Sequence, residues 1–307
     1  MRYFNRLILF ILSLACSGMA SAQEMTIMTS DSVKLYVHVK GEGMPCLFIH
    51  GGPGQGSNYW EKLAGDMGEK HFKMIYLDQR GCGRSSSPVS GNYTIQRMIM
   101  DFEEVRKVLD IKEWLIMGHS FGGILQTYYA KVYPESIKGI LMFNCTLDMK
   151  ESLEVSYIPS AIEFFEIKNV SPYSNRSIPL ATRMDSIQQL FMTRDDVWKL
   201  SFSSAESALK FGETYAGFTS WNADFSKNVF LVDDYMIDYS ALTNEIDTPT
   251  LFVYGTKDKN VGVRQYLKVK FPNMLLIEVE GGHMEFIENE NDYIKAIESF
   301  LVRFNID

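Results

Sequence analysis

The segment Gly118-His119-Ser120-Phe121-Gly122-Gly123 sets a hydroxyl between glycines at the end of an apolar run, Leu115-Ile116-Met117. A helical pattern follows at once through Ile124, Leu125, Tyr128 and Ala130. A strand that turns sharply into a helix forces its middle residue into a strained backbone conformation. Glycines two before and two after Ser120 remove the Cβ atoms that would clash there. The chemistry on offer is nucleophilic: a serine at the carboxyl end of a strand, with the first amides of a helix facing whatever it attacks.

A serine hydroxyl attacks only when a base takes its proton and a third group holds that base. Five histidines are available. His38 falls on the polar face of an early strand and is expected in solvent. His71 precedes a strand, at the surface. His119 adjoins the serine and is expected to point elsewhere, because neighbouring side chains diverge. His50 opens a glycine loop, which it is expected to buttress. That leaves His283, which follows the last strand after Gly281-Gly282, where a loop can carry a base to the carboxyl edge of a sheet. Asp258, beyond the turn Gly255-Thr256-Lys257, is the predicted orienting acid, with Asp148 as the fallback. A tetrahedral oxyanion needs two donors. The Phe121 amide is one, and Gly52 in His50-Gly51-Gly52-Pro53-Gly54 is chosen as the other, since Pro53 has no N–H to give.

The elements that must position these groups read as an α/β pattern. Val33, Leu35, Val37 and Val39 alternate with Lys34, Tyr36, His38 and Lys40, as in an edge hairpin. Short apolar runs end at His50, at Asp78, at the serine turn and at Phe143, and they resume at Thr250 and Met274. Between them lie helical stripes, the clearest being Ile95, Met98, Ile99, Phe102, Val105 and Leu109 behind a Thr94 cap. Strands apolar on both faces, alternating with amphipathic helices, imply a parallel sheet covered on both sides. From Met149 to Asn244 no buried strand appears, and aromatic residues recur at helical spacing. A helical insertion over residues 149–245 is therefore expected, between core segments 23–148 and 246–307. A helix is also expected over Val263 to Val269.

The chain is 46% hydrophobic and 22% charged, with a net charge of −8. Removal of a leader that carries Arg2 and Arg6 makes it more acidic. Acidity without basic clusters argues against nucleic acid or anionic lipid as a partner. Arg2 and Arg6, an apolar run from Leu7 to Cys16 and Ala20-Ser21-Ala22 compose a secretory signal peptide over residues 1–22, too short in its apolar part to span a bilayer. Export to the periplasm or the medium is expected. Cys16 as a lipid-attachment site fits poorly, because Ser13-Leu14-Ala15 is a weak match to that signal. Cys46, Cys82 and Cys145 then remain, odd in number, widely spaced and without metal-ligand spacing, so they are read as free thiols. Cys82 is placed near the site, where a bulky thiol reagent is expected to obstruct.

Three motifs, His50-Gly51-Gly52-Pro53-Gly54, Asp78-Gln79-Arg80-Gly81-Cys82-Gly83-Arg84-Ser85 and Gly118-His119-Ser120-Phe121-Gly122-Gly123, together resemble the proline iminopeptidases (prolyl aminopeptidases), serine peptidases of the α/β-hydrolase fold. The second motif is the most specific. The resemblance covers Gly41 to Cys145 well and Thr248 onward moderately. It implies a mostly parallel eight-stranded sheet with helices on both faces and an inserted helical cap, and the order Ser120, Asp258, His283 is the one that fold uses. It also implies release of an N-terminal residue, typically proline, from a small peptide, with no metal and no organic cofactor. In that family acidic side chains of the cap grip the free amino group, as a buried ammonium requires. Glu206 and Glu213 are the candidates here. The chain departs from the family at His119 and Phe121, where Gly-Gly-Ser-Trp-Gly is common, and it lacks the Trp-Ser-x-Trp-Glu stretch of the cap. A carboxylesterase or lactonase on the same scaffold is the alternative. Epoxide and haloalkane hydrolases place aspartate where Ser120 stands.

Overall fold

The computed structural model describes residues 22–306. The signal peptide with Cys16 falls outside the described residues apart from Ala22. Eight strands form one sheet: β1 Gln23–Met28, β2 Lys34–Lys40, β3 Met44–Ile49, β4 Phe72–Leu77, β5 Trp114–His119, β6 Ile137–Phe143, β7 Thr250–Gly255 and β8 Met274–Val279. Their order is β1-β2-β4-β3-β5-β6-β7-β8. β2 pairs antiparallel with β1 and with β4, and every other pairing is parallel. This is the eight-stranded, mostly parallel sheet expected of an α/β-hydrolase fold.

Neighbouring strand residues serve opposite cores, which is why the strands read as unbroken apolar runs. Leu47, Ile49, Ile116 and Met142 pack under helices α2 Ile95–Val108 and α3 Gly122–Val132. Phe48, Met117, Leu141 and Val253 pack under α1 Asn58–Glu69 and the closing helix Glu290–Phe304. The α2 stripe is buried as its periodicity requires, and the Thr94 side chain accepts from the Arg97 N–H. His38 is not in solvent. α1 lies over the outer face of β2, and Glu61 meets His38 Nδ1 at 2.7 Å.

Parallel strands joined by crossovers bring their carboxyl ends to one edge. There β3 delivers the His50 loop, β4 the Asp78 loop, β5 Ser120, β6 Asn144, β7 Asp258 and β8 His283. Residues 149–245 contain helices and no strand. Met149–Glu151, Ser152–Tyr157 and Ile158–Phe164 run on as one rod whose middle piece is π-helical. Leu180–Leu190 and Ala205–Glu213 follow. The aromatics from Tyr215 to Trp221 stand in turns rather than on a helix, held ring to ring. From Asn222 the chain rejoins the core: Asn222 pairs with Gly83, and Phe225, Val229, Tyr235 and Tyr239 enter the main cluster. Residues 263–269 form only a turn at Gln265–Leu267, because Gly262 at φ +92° before it and Pro272 after it leave little room for a helix.

The second motif acts as a brace behind the edge. Arg80 is fully buried and forks onto both oxygens of Asp101 on α2 and both of Asp31 in the first hairpin. Asp78 accepts from the Ser57 N–H and hydroxyl and from the Arg84 backbone and guanidinium. Gly83 has φ +58°, and a Cβ there would strike the Asp78 carboxylate at 2.5 Å. Cys82 lies fully buried in this layer and does not line the cavity over Ser120, so a thiol reagent has no path to obstruct the site from it. Removing one partner of a buried bidentate pair strands the other. Arg80→Met is therefore expected to lower the stability of the folded protein by about 3–5 kcal/mol in urea titration at pH 7.

Candidate active site

Ser120 sits at φ +57° between β5 and α3 and is 8% exposed. The sequence makes that turn possible through its glycines. A Cβ on Gly118 would overlap the Gln126 amide, one on Gly122 the Ile49 carbonyl oxygen, and one on Gly51 would come 2.8 Å from Ser120 Cβ. The elbow is packed from three sides and has one available shape.

His283 Nε2 lies 3.0 Å from Ser120 Oγ, and His283 Nδ1 lies 2.9 Å from Asp258 Oδ2. A carboxylate only accepts, so Nδ1 carries the ring proton and Nε2 faces the hydroxyl as an acceptor. Asp258 is buried, and its other contacts come from the Asn260 and Val261 N–H groups and from Asn144 Nδ2 at 3.2 Å. Burial by itself would raise this carboxyl. The imidazole beside it and the backbone donors hold it below the usual carboxylate range. Asp148, the fallback acid, is elsewhere. It caps the Glu151 N–H and faces Lys268.

Gly52 and Phe121 both line the cavity beside Ser120, and among the described residues neither N–H donates to a protein acceptor. His50 explains how Gly52 is set. Its Nε2 accepts from the Gln79 N–H, so its Nδ1 carries a proton and donates to the Gly51 carbonyl at 2.9 Å. In a trans peptide the N–H points opposite the carbonyl, so the Gly52 N–H is turned away from His50. The buttress read from the sequence is thus a hydrogen bond with a direction.

The cavity has a volume of about 620 Å³. Its floor is Ser120, His119 and His283, and its walls come from the insertion: Met149, Leu153 and Tyr157 on one side, Met184 above, Phe202 and Phe230 beyond. Glu206 and Glu213 are not brought to it. Glu206 is 75% exposed and pairs with Lys210 one turn on, and Glu213 is exposed at the end of the same helix. Helical spacing cannot say which face of a short helix meets a cavity. The one carboxylate among the described residues that line it is Asp185, and Lys227 is its one cation. Among the described residues no cluster of three or more His, Cys, Asp or Glu side chains is placed to hold a metal ion, and no helix is long and apolar enough to cross a membrane.

Sequence reasoning missed the parts played here by Asn144, His119 and Tyr59. Asn144, at φ +48°, donates to Asp258 and to the Gly282 carbonyl and accepts from the Tyr293 hydroxyl. An asparagine directly after a buried strand was the available signal. His119 does not point elsewhere. Its ring lies 4.8 Å from that of His283, with Tyr59 hydrogen-bonded to it at 3.0 Å.

The sheet order, the elbow and the placement of the three side chains define an α/β hydrolase. The alpha/beta hydrolase fold family matches residues 45–290, and the chain belongs to it. Within that family the motif resemblance holds over most of the chain. A proline iminopeptidase of Neisseria gonorrhoeae is 29% identical over 289 residues, 85% of this chain and 90% of that protein. Among solved structures, a proline iminopeptidase-related protein from Thermus thermophilus superposes with a TM-score of 0.71 at 16% identity, over 92% of this chain and 98% of that one. An enol-lactonase from Burkholderia xenovorans gives 0.66 at 18%, over 91% and 100%. At such identities the two structures speak for the fold alone.

The buried histidines carry a pH signature. Burial, and then the neighbouring His283, push His119 down to about 3, and burial likewise lowers His50. A base whose folded value lies below its unfolded one binds fewer protons when folded, so stability rises with pH between the two values. The unfolding free energy is expected to fall as pH drops below about 6.5, by up to about 1.4 kcal/mol per pH unit for each such histidine. His119→Gln should flatten the slope between pH 6.5 and 4, and a slope unchanged by that replacement would remove His119 from the account.

Proposed function

We propose that the protein is a serine hydrolase that releases an N-terminal proline, or a similar small residue, from short peptides. The observation that carries the mechanism is the unbroken chain Ser120–His283–Asp258, with contacts of 3.0 and 2.9 Å. Ser120 Oγ attacks the carbonyl carbon while His283 Nε2 takes its proton. Asp258 steadies the imidazolium, and the Phe121 and Gly52 N–H groups receive the oxyanion. Collapse of the tetrahedral intermediate breaks the C–N bond, and the leaving amine takes the proton from His283. Water, deprotonated by the same imidazole, then hydrolyses the acyl-enzyme on Ser120.

For the substrate, support comes from the full-length relatives named proline iminopeptidase and from Asp185, a cavity carboxylate able to meet an ammonium. One observation favours a carboxylesterase or lactonase instead. Apart from Asp185 and Lys227 the walls are apolar or neutral, and Asp185 is solvent-exposed, which makes it a weak grip on a cation. The signal-peptide reading is kept as part of the proposal. β1 begins at Gln23, directly after the cleavage point at Ala22, and the exported chain should start there by intact mass.

Three measurements test the reading. Ser120→Ala should reduce turnover of every substrate by at least about a thousandfold with the fold intact, and undiminished turnover would end the mechanism. Proline naphthylamide should be cleaved. If it is untouched while short p-nitrophenyl esters react rapidly, the esterase reading stands. Asp185→Asn should raise KM for free-amine substrates about tenfold and leave ester KM unchanged, whereas equal effects on both would detach it from the amine.

A further inference from the structure

A buried hydrogen-bonded bridge at the floor of the cavity takes no step in the acyl transfer. Its members are His119 and Tyr59, 1% and 0% exposed. His119 Nε2 lies 3.2 Å from the backbone carbonyl oxygen of His283. A carbonyl cannot donate, so Nε2 bears the proton. His119 Nδ1 is then an acceptor, and the Tyr59 hydroxyl, 3.0 Å away, must donate to it. The Tyr59 oxygen in turn accepts from the Gly51 N–H at 3.3 Å. Every donor and acceptor in this line has a single permitted direction, and it runs from the loop before Gly52 to the loop that carries the base.

We propose that His119 and Tyr59 are positioning residues that tie the Gly51–Gly52 loop to the His283 loop, so that the oxyanion donor and the base keep their spacing around Ser120. The two loops come from β3 and β8, which are not neighbours in the sheet. No ladder of backbone hydrogen bonds joins them. Their side-chain link passes beneath the nucleophile through the residue next to it. Packing leaves the bridge little freedom. Phe286 meets the His119 ring edge-on at 5.2 Å and Trp60 covers it at 5.8 Å, while a Cβ on Gly51 would crowd Ser120. A neutral imidazole suits the role, because a protonated one would turn an N–H toward the Tyr59 hydroxyl and leave the hydroxyl proton without this acceptor. Burial keeps His119 in that neutral form.

The proposal rests on acyl transfer at Ser120, and its test separates the two. Turnover of p-nitrophenyl acetate and binding of phenylboronic acid, whose tetrahedral adduct on Ser120 reaches the same amides, are measured for the full-length mature chain. Tyr59→Phe removes only the hydroxyl. It should lower kcat and boronate affinity together, about tenfold, with KM within twofold, since misplaced groups lose transition-state rather than ground-state contacts. His119→Phe should do the same, and the double variant should be no worse than His119→Phe alone. His119→Gln, which keeps a donor for the His283 carbonyl, should recover part of the loss. If Tyr59→Phe fails to fold, His119→Gln against His119→Phe carries the comparison. Unchanged kcat and boronate affinity in folded Tyr59→Phe, or strictly additive losses in the double variant, would overturn the bridge. Turnover surviving in Ser120→Ala would instead overturn the mechanism beneath it.

Discussion

A carboxylate shut away from water, Asp258, is the constraint around which the edge of the sheet is arranged. Burying an ion is costly unless its lone pairs are met, and here four donors meet them. Two are backbone amides of its own turn, one is Asn144 at the end of β6, and one is His283 at the end of β8. That set exists only where β6, β7 and β8 lie side by side and parallel, because only then do three consecutive carboxyl ends converge. Asn144 closes the arrangement from the far side by bonding the Gly282 carbonyl in the loop that presents His283. The orientation of the imidazole therefore follows from satisfying a buried charge.

The nucleophile depends on sterics. Ser120 occupies its left-handed conformation because the glycines around it allow β3, β5 and α3 to close in, and backbone strain of this kind persists only where packing over-determines it. The Asp78 motif serves the same end at longer range. Its carboxylate and guanidinium groups bond to each other, to Ser57 at the end of the oxyanion loop and to α2, and none of them faces the cavity. A motif can thus be highly specific to a family and still do its work through rigidity.

What the sequence made legible follows from this division. Ser120, His283 and Asp258 could be read because each stands just beyond a buried apolar strand, and strands apolar on both faces announce a parallel sheet whose carboxyl ends share an edge. His50 could be read as a buttress for the same reason. The insertion was legible only as helical. Which face of Ala205–Glu213 meets the cavity is a matter of tertiary packing, and Glu206 and Glu213 were placed on the wrong side of it. His119 was misjudged because divergence of neighbouring side chains holds along a strand but weakens at a sharp turn, where the chain doubles over its own nucleophile. His38 was misjudged because period-two alternation reports polarity and says nothing of whether a helix lies above.

The cavity is built from two kinds of wall, and they are anchored unequally. On the Phe121 side, Phe225 and Tyr235 pack tilted against Phe121 itself, the Tyr235 hydroxyl bonds the Tyr93 carbonyl, and Asn222 pairs with Gly83, so this wall is continuous with the main core. On the other side, Met184, Asp185 and Gln188 belong to Leu180–Leu190, which packs onto a small cluster of Ile158, Ala161, Ile187 and Leu200. Local opening costs least where the fewest buried apolar contacts are broken. Any widening of the cavity is thus cheapest along Leu180–Leu190, the wall that also carries its one carboxylate. The floor, held by the Asp258 donors and the elbow glycines, has no such freedom.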